Sequence, residues 1–107
     1  DLVYLPEFKI KMKNSSLEKV FLSTELSQNK TTESLAGIFA AKEAFFKALG
    51  RKENWLDVWI EKDKNGKPEL KSVLVEDNQK PLISISHAGD YAIAIVMIND
   101  QGLIIKK

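Results

Sequence analysis

The densest chemical signal in the sequence is Lys42-Glu43-Ala44-Phe45-Phe46-Lys47. Glu43 and Lys47 stand four residues apart, so on a helix they lie about 40° apart around the axis and share one face. A carboxylate and an ammonium side by side can hold a metal ion and an anionic group together. The same spacing also serves as an ordinary surface pair, worth about 0.2–0.5 kcal/mol. His87 is the only histidine, and it follows the alternating run Ile83-Ser84-Ile85-Ser86 just before a turn signal. That is an expected strand end, where ligand sites form, although a lone histidine also serves as a hydrogen-bonded structural residue. Cysteine is absent, which excludes disulfides, zinc fingers, iron–sulfur centres and a thiol nucleophile. With one histidine and no cysteine, the expected metal is a hard, oxygen-ligated cation such as Mg²⁺. Gly66-Lys67-Pro68 reads as the exit of a hairpin turn whose lysine can meet a phosphate. Lys9, Lys11, Lys13 and Lys19 make the N-terminal segment basic, either as a solvated face or as a dock for an acidic partner. No dinucleotide fingerprint, P-loop, nucleophile elbow or HExxH motif occurs.

The elements that must position these residues follow from periodicity. The 107 residues are expected to form one domain, residues 1–107. Sixteen basic and fifteen acidic residues leave a net charge of +1, too balanced to attract nucleic acid by bulk field. Apolar residues at 44% and charged residues at 29% describe a globular chain. The longest apolar run, Ala92 to Ile98, is too short to span a membrane. No signal peptide is visible, and the expected location is the cytoplasm. The chain opens at Asp1 inside an expected strand, so the N-terminal strand is expected to be truncated.

Asp1 to Leu5 reads as that strand end, and Pro6 suits the first turn of a helix reaching Lys13. Asn14, Ser15 and Ser16 break it and cap a second helix, Leu17 to Leu22, with Ser23 and Thr24 capping a further turn through Ser27. Thr32 to Leu49 is the main helix: Thr31 or Thr32 caps it, Leu35, Ile38, Phe39, Phe46 and Leu49 keep helical spacing, and Gly50 stops it. Trp55 to Lys62 alternates as a strand. Asp63-Lys-Asn-Gly66 turns the chain, and Pro68 to Glu76 returns. Leu82 to Ser86 and Tyr91 to Ile98 are further strands, the last apolar on both faces and so expected at the centre of the sheet. Leu103 to Lys106 is expected as an edge strand. Helical signals in the first half and strand signals in the second predict an α+β fold with helices packed on a mainly antiparallel sheet.

Leu35 to Gly50 resembles the signature helix of the 4′-phosphopantetheinyl transferases, of the small holo-[acyl-carrier-protein] synthase type. Its pattern is phenylalanine, two small residues, Lys-Glu-Ala, two variable residues, Lys-Ala and a glycine, and Phe39 to Gly50 fits it throughout. Asp1-Leu-Val, Gly66-Lys67-Pro68, and Ile83-Ser-Ile-Ser-His87 with Asp90-Tyr-Ala-Ile-Ala94 resemble three further motifs in order and spacing. The resemblance implies an enzyme that transfers the 4′-phosphopantetheine arm of coenzyme A to a serine of an apo-acyl carrier protein, releasing 3′,5′-ADP. It implies that Asp1 and Glu43 hold Mg²⁺, and that Glu43 and Lys47 do the catalytic work. It assigns coenzyme A binding to Lys42, Lys47, Gly66, Lys67, Pro68, Ser86 and His87. It implies a homotrimer with sites between subunits. The chemistry agrees, because a diphosphate is bound by a bridging Mg²⁺ and cationic side chains, and Mg²⁺ commonly takes one or two carboxylates plus phosphates and waters. Glu43 or a water on the metal can accept the serine proton, a choice the sequence leaves open.

Two positions depart from the family pattern. Ile38 and Glu7 stand where arginine is common. Docking of the acidic carrier then falls to Lys9, Lys11 and Lys13, of which Lys9 and Lys13 lie four apart on one helix face. The same departures motivate an alternative, a catalytically weak homologue that binds a carrier protein without transferring the arm. A nucleic-acid-binding reading rests only on scattered lysines and two tryptophans.

Overall fold

The computed structural model describes residues 1–99. Their order is β1 (Leu2–Tyr4), α1 (Leu5–Lys13), α2 (Ser23–Gln28), α3 (Thr32–Leu49), β2 (Val58–Lys62), β3 (Pro68–Ser72), β4 (Leu82–Ala88) and β5 (Tyr91–Met97). Every strand pairing is antiparallel: β1, β5 and β4 form one sheet with β5 in the middle, and β2 and β3 form a ribbon. The α+β reading and the central place of the last strand are both borne out. The expected strand at Leu103–Lys106 lies outside the described residues.

The long helix has the predicted limits. The Thr31 side chain accepts the Ser34 amide at 3.1 Å, and Gly50 ends the helix with φ 80°, a left-handed conformation that glycine adopts without a Cβ clash. α3 packs across β5, β4 and β1. Ala36, Ala40 and Ala41 of the helix and Ala92 and Ala94 of β5 are fully buried, so small side chains on both surfaces let helix and sheet lie close. Phe8, Phe21, Phe39, Phe45 and Phe46 fill the remaining core. Among the described residues no helix covers the other face of the sheet. Leu2, Tyr4, Leu82, Tyr91, Ile93, Ile95 and Met97 all stand exposed on it.

Boundaries and caps differ from expectation in several places, some for a clear local reason. Leu17 to Leu22 is only a 3₁₀ turn at Leu17–Lys19, because the chain leaves it to bury Val20 and Phe21. α2 is not capped by Ser23 or Thr24; the Glu25 carboxylate turns back to accept the Leu22 amide at 2.9 Å. The strand expected from Trp55 starts at Val58, since the Asn54 side chain accepts the Leu56 amide and holds Trp55–Asp57 in a 3₁₀ turn. The return strand stops at Ser72, whose hydroxyl donates to the Asp57 carbonyl at 2.7 Å and accepts the Leu74 amide. Among the described residues no helix is long and apolar enough to cross a membrane.

Candidate active site

Asp1 extends the β1–β5 ladder by one residue. Ala94 donates its amide to the Asp1 carbonyl at 2.8 Å, and the Asp1 amine donates to the Ala94 carbonyl. Side chains alternate along a strand, so Asp1 shares the helix-facing side with buried Val3 and reaches α3. There its carboxylate, only 9% exposed, is ion-paired with the Lys47 ammonium. Glu43 lies one turn earlier on the same helix face and is half-buried. It has no ion-pair partner among the described residues. β1 and α3 therefore bring Asp1, Glu43 and Lys47 together.

Glu43 lines two cavities. One, about 290 Å³, is walled by Phe46, Lys47, Gly50, Arg51, Lys52 and Trp55. The other, about 480 Å³, runs between α1 and the sheet past Tyr4, Phe8, Lys11, Phe39 and Tyr91. The first is cationic on one wall and aromatic on the other: the Lys52 ammonium stands 4.7 Å over the Trp55 ring, and that indole stacks on Phe39. Arg51 and Lys52 read in the sequence only as a polar connection. The signal that marks them is two adjacent cations directly after a glycine helix stop, which puts them beside the last turn that carries Lys47.

Lys42 does not join this group. The sequence assignment of Lys42 to coenzyme A binding is corrected by its place in the fold: its side chain points into the core and is wholly buried. The residues at 38, 39, 45 and 46 are buried with it on that side of the helix, while Glu43 turns outward. Its ammonium is fully occupied by Val20, Glu25 and Trp55. Burial pulls the Lys42 pKa below the usual lysine value, opposed by the Glu25 carboxylate beside it. Glu25 was not a candidate on sequence; its spacing in a short polar helix gives no sign that it is sealed from water.

The other predicted residues lie elsewhere. His87 belongs to β4 and not to the turn after it, and its Nε2 bonds the Glu33 carbonyl at 2.8 Å at the N-terminal end of α3. It rests on Gly37, six residues before Glu43, which is about 9 Å along the helix axis. Ser86 alternates to the opposite, helix-free face, across from Ile93. Gly66 makes the β2–β3 turn with φ 83°. Lys67 and Pro68 line a third cavity of about 560 Å³, with Lys71, Lys80 and Ile83, which includes none of Asp1, Glu43 or Lys47. Within one chain the predicted coenzyme-binding residues thus form separate groups.

Among the described residues no three His, Cys, Asp or Glu side chains converge as a metal-binding group. A cation held here has two carboxylates, Asp1 and Glu43, and must draw its other ligands from a bound anion and water, which is the habit of Mg²⁺. Lys9 and Lys13 are exposed and flank a groove with Met12 and Leu35. Lys11 instead sits over the Phe39 ring, toward Glu43.

A family model described as the 4′-phosphopantetheinyl transferase superfamily matches residues 1–96. The chain is 42% identical over 100 residues to a holo-[acyl-carrier-protein] synthase of Campylobacter fetus, covering 86% of this chain and 87% of that protein. It is 47% identical over 77 residues to one of Bacillus pumilus, covering 68% of this chain and 63% of that protein. Among solved structures, it resembles Helicobacter pylori holo-[acyl-carrier-protein] synthase in complex with coenzyme A, with a TM-score of 0.79, 28% identity, and coverage of 92% and 96% of the two chains. The Bacillus anthracis synthase, in complex with CoA (3′,5′-ADP), gives a TM-score of 0.78 at 30% identity, covering 92% and 90%.

Proposed function

The chain belongs to the 4′-phosphopantetheinyl transferase superfamily, and from that premise we propose that it moves the 4′-phosphopantetheine arm of coenzyme A onto a serine of an apo-acyl carrier protein. The serine hydroxyl oxygen bonds to the phosphorus bearing the pantetheine. The bond from that phosphorus to the bridging oxygen breaks, and 3′,5′-ADP leaves with the electron pair. The observation that carries this reading is the convergence of Asp1, from the first strand, on the Glu43–Lys47 face of α3.

Asp1 and Glu43 are the residues that hold Mg²⁺ in this reading. When bound, Mg²⁺ neutralises diphosphate charge that would otherwise oppose attack. Lys47 has a largely exposed side chain and, among the described residues, only the Asp1 carboxylate as ion-pair partner, so it can turn to a phosphate oxygen and stabilise charge on the departing 3′,5′-ADP. Glu43, without an ion-pair partner among the described residues, is available to the metal or to the serine proton. Lys11, Arg51 and Lys52 add positive charge around the same carboxylate and favour a multiply anionic substrate.

The separation of His87 and Lys67 from Glu43 within one chain supports a site shared between subunits. The seven exposed apolar side chains on the helix-free sheet face support the same conclusion, since a face of that kind is covered in an assembly. Residues 1–107 act in this reading as one transferase domain in a homotrimer, with His87, Lys67 and Pro68 of one subunit completing the coenzyme site of the next. The deciding experiment incubates candidate apo-carrier proteins with this chain, coenzyme A and Mg²⁺ and weighs the carrier by mass spectrometry. Gain of one phosphopantetheine at the carrier serine is expected. A carrier that binds tightly and gains no mass overturns transfer in favour of the binding-module alternative.

A further inference from the structure

Lys42 precedes Glu43 in the chain and faces away from it, into the core. All three of its ammonium hydrogens have acceptors: the Val20 carbonyl and the Glu25 carboxylate, both at 2.7 Å, and the Trp55 carbonyl at 3.2 Å. Glu25 is equally sealed from solvent. Besides Lys42 it accepts the amides of Leu22 and Ile60, each at 2.9 Å, so both of its oxygens are used. One ion pair therefore ties α3 to the chain before α2, to α2 itself, to β2, and to the connection that follows α3.

That last tie reaches the candidate site. Trp55 lies in the connection between Gly50 and β2 and forms, with Phe46, the aromatic wall of the cavity holding Glu43 and Lys47, with Lys52 over the indole ring. The ring rests on Phe39 and Phe46, with centroids at 4.9 and 5.4 Å. The backbone behind that ring is held by Lys42.

A buried ion pair is a poor source of stability, because removing two charges from water offsets most of their attraction, and well-packed apolar replacements are often as stable. What a fully satisfied buried polar cluster supplies is a single geometry. We propose that Glu25 and Lys42 are positioning residues for the transfer reaction, fixing the Trp55–Lys52 wall against Glu43 and Lys47. The proposal rests on the transferase reading above.

The test replaces both charges at once, Glu25→Leu with Lys42→Met, in a Trp59→Phe background that leaves Trp55 as the only indole. Thermal melting, carrier modification and Trp55 emission are read together, using coenzyme A, Mg²⁺ and an apo-carrier. The expected result is a melting temperature close to that of the background protein, a kcat lower by roughly tenfold or more, as for a site loosened by about an ångström, an unaltered KM for the carrier, and a shifted Trp55 emission. Background kcat and emission in a folded double variant overturn the proposal. If that variant does not fold, Glu25→Gln with Lys42→Gln takes its place. It keeps polar groups in the cluster but is too short to reach the Trp55 carbonyl, and the same loss is expected and the same retention overturns. If the background protein itself transfers nothing, the transferase reading fails separately. Trp55 emission then decides the positioning claim alone: a shift upholds it and no shift overturns it.

Discussion

The Lys47 ammonium is ion-paired with the Asp1 carboxylate, joining the start of the first strand to the last turn of the longest helix. The lysine side chain is 71% exposed. Such a pair adds at most about 1 kcal/mol to stability, so its value is in placing charges of both signs beside Glu43.

Lys47→Gln and Glu43→Gln separate that role from folding. Neither removes a core contact, so both variants should melt within a few degrees of the parent. Transfer from coenzyme A should fall by about 10²-fold or more in each, the usual cost of losing one preorganised electrostatic group. Saturating Mg²⁺ should not restore Glu43→Gln if that carboxylate holds the cation. Mass-resolved transfer kinetics over a range of Mg²⁺ check this, and near-parental rates in Glu43→Gln would remove it from the site.

At Gly37 α3 lies close against β4. A Cβ built there falls 2.8 Å from Ile85 Cγ2 and 3.0 Å from His87 Nε2. Gly37→Ala should therefore push β4 outward, stretch the His87 bond to the Glu33 carbonyl, and cost about 1–3 kcal/mol, as overpacking does. Chemical denaturation gives the energy, and the imidazole resonances report the displacement of His87. Unmoved resonances together with full stability would mean that the strand absorbs the methyl group without strain.

The main helix was legible in sequence because its signals are local and agree: Thr31 caps it, apolar residues repeat every three or four positions, and Gly50 ends it. β5 was legible because alanines alternate with large apolar residues. The meeting of Asp1 with the Glu43–Lys47 face was suggested by the family pattern and needs the register of β1 on β5, which no spacing in the sequence specifies. The interior position of Lys42 was not legible. Its neighbours Glu43 and Lys47 face the site, and only the helical phase set by Ile38, Phe39, Phe45 and Phe46 turns it inward, toward a glutamate 17 residues away in the sequence. The separation of His87 from Glu43 is what the resemblance implies, with sites between subunits, and only the resemblance carried it. Motifs in sequence order do not say which ends of a helix they meet.

Assembly is tested on the bare sheet face. Ile95 is 61% exposed in the middle of the central strand, where a buried carboxylate would be costly. The parent chain should sediment as a trimer at micromolar concentration, and Ile95→Glu should shift it toward monomer. Activity should fall with the trimer fraction if each coenzyme site is shared between subunits. A monomeric parent with full activity would contradict the shared site.

Carrier docking is tested on α1. Lys9 and Lys13 are exposed, four residues apart, beside a groove lined by Met12 and Leu35, whereas Lys11 turns toward Phe39 and the Glu43 cavity. An acidic carrier steered by the first pair arrives faster at low salt, and the effect is screened as ionic strength rises. Reversing both, Lys9→Glu with Lys13→Glu, should slow association and raise the KM for the carrier by about tenfold at low salt. The KM for coenzyme A should hold, since neither lysine lines a cavity that contains Glu43. Added salt should weaken the parent and strengthen the reversed variant, so the two converge. Reversing Lys11 alone should instead act on coenzyme A, because that ammonium stands at the Glu43 cavity. Steady-state kinetics varied in carrier, coenzyme and salt distinguish the two effects. An unchanged carrier KM and salt dependence in the double reversal would place the docking face off α1.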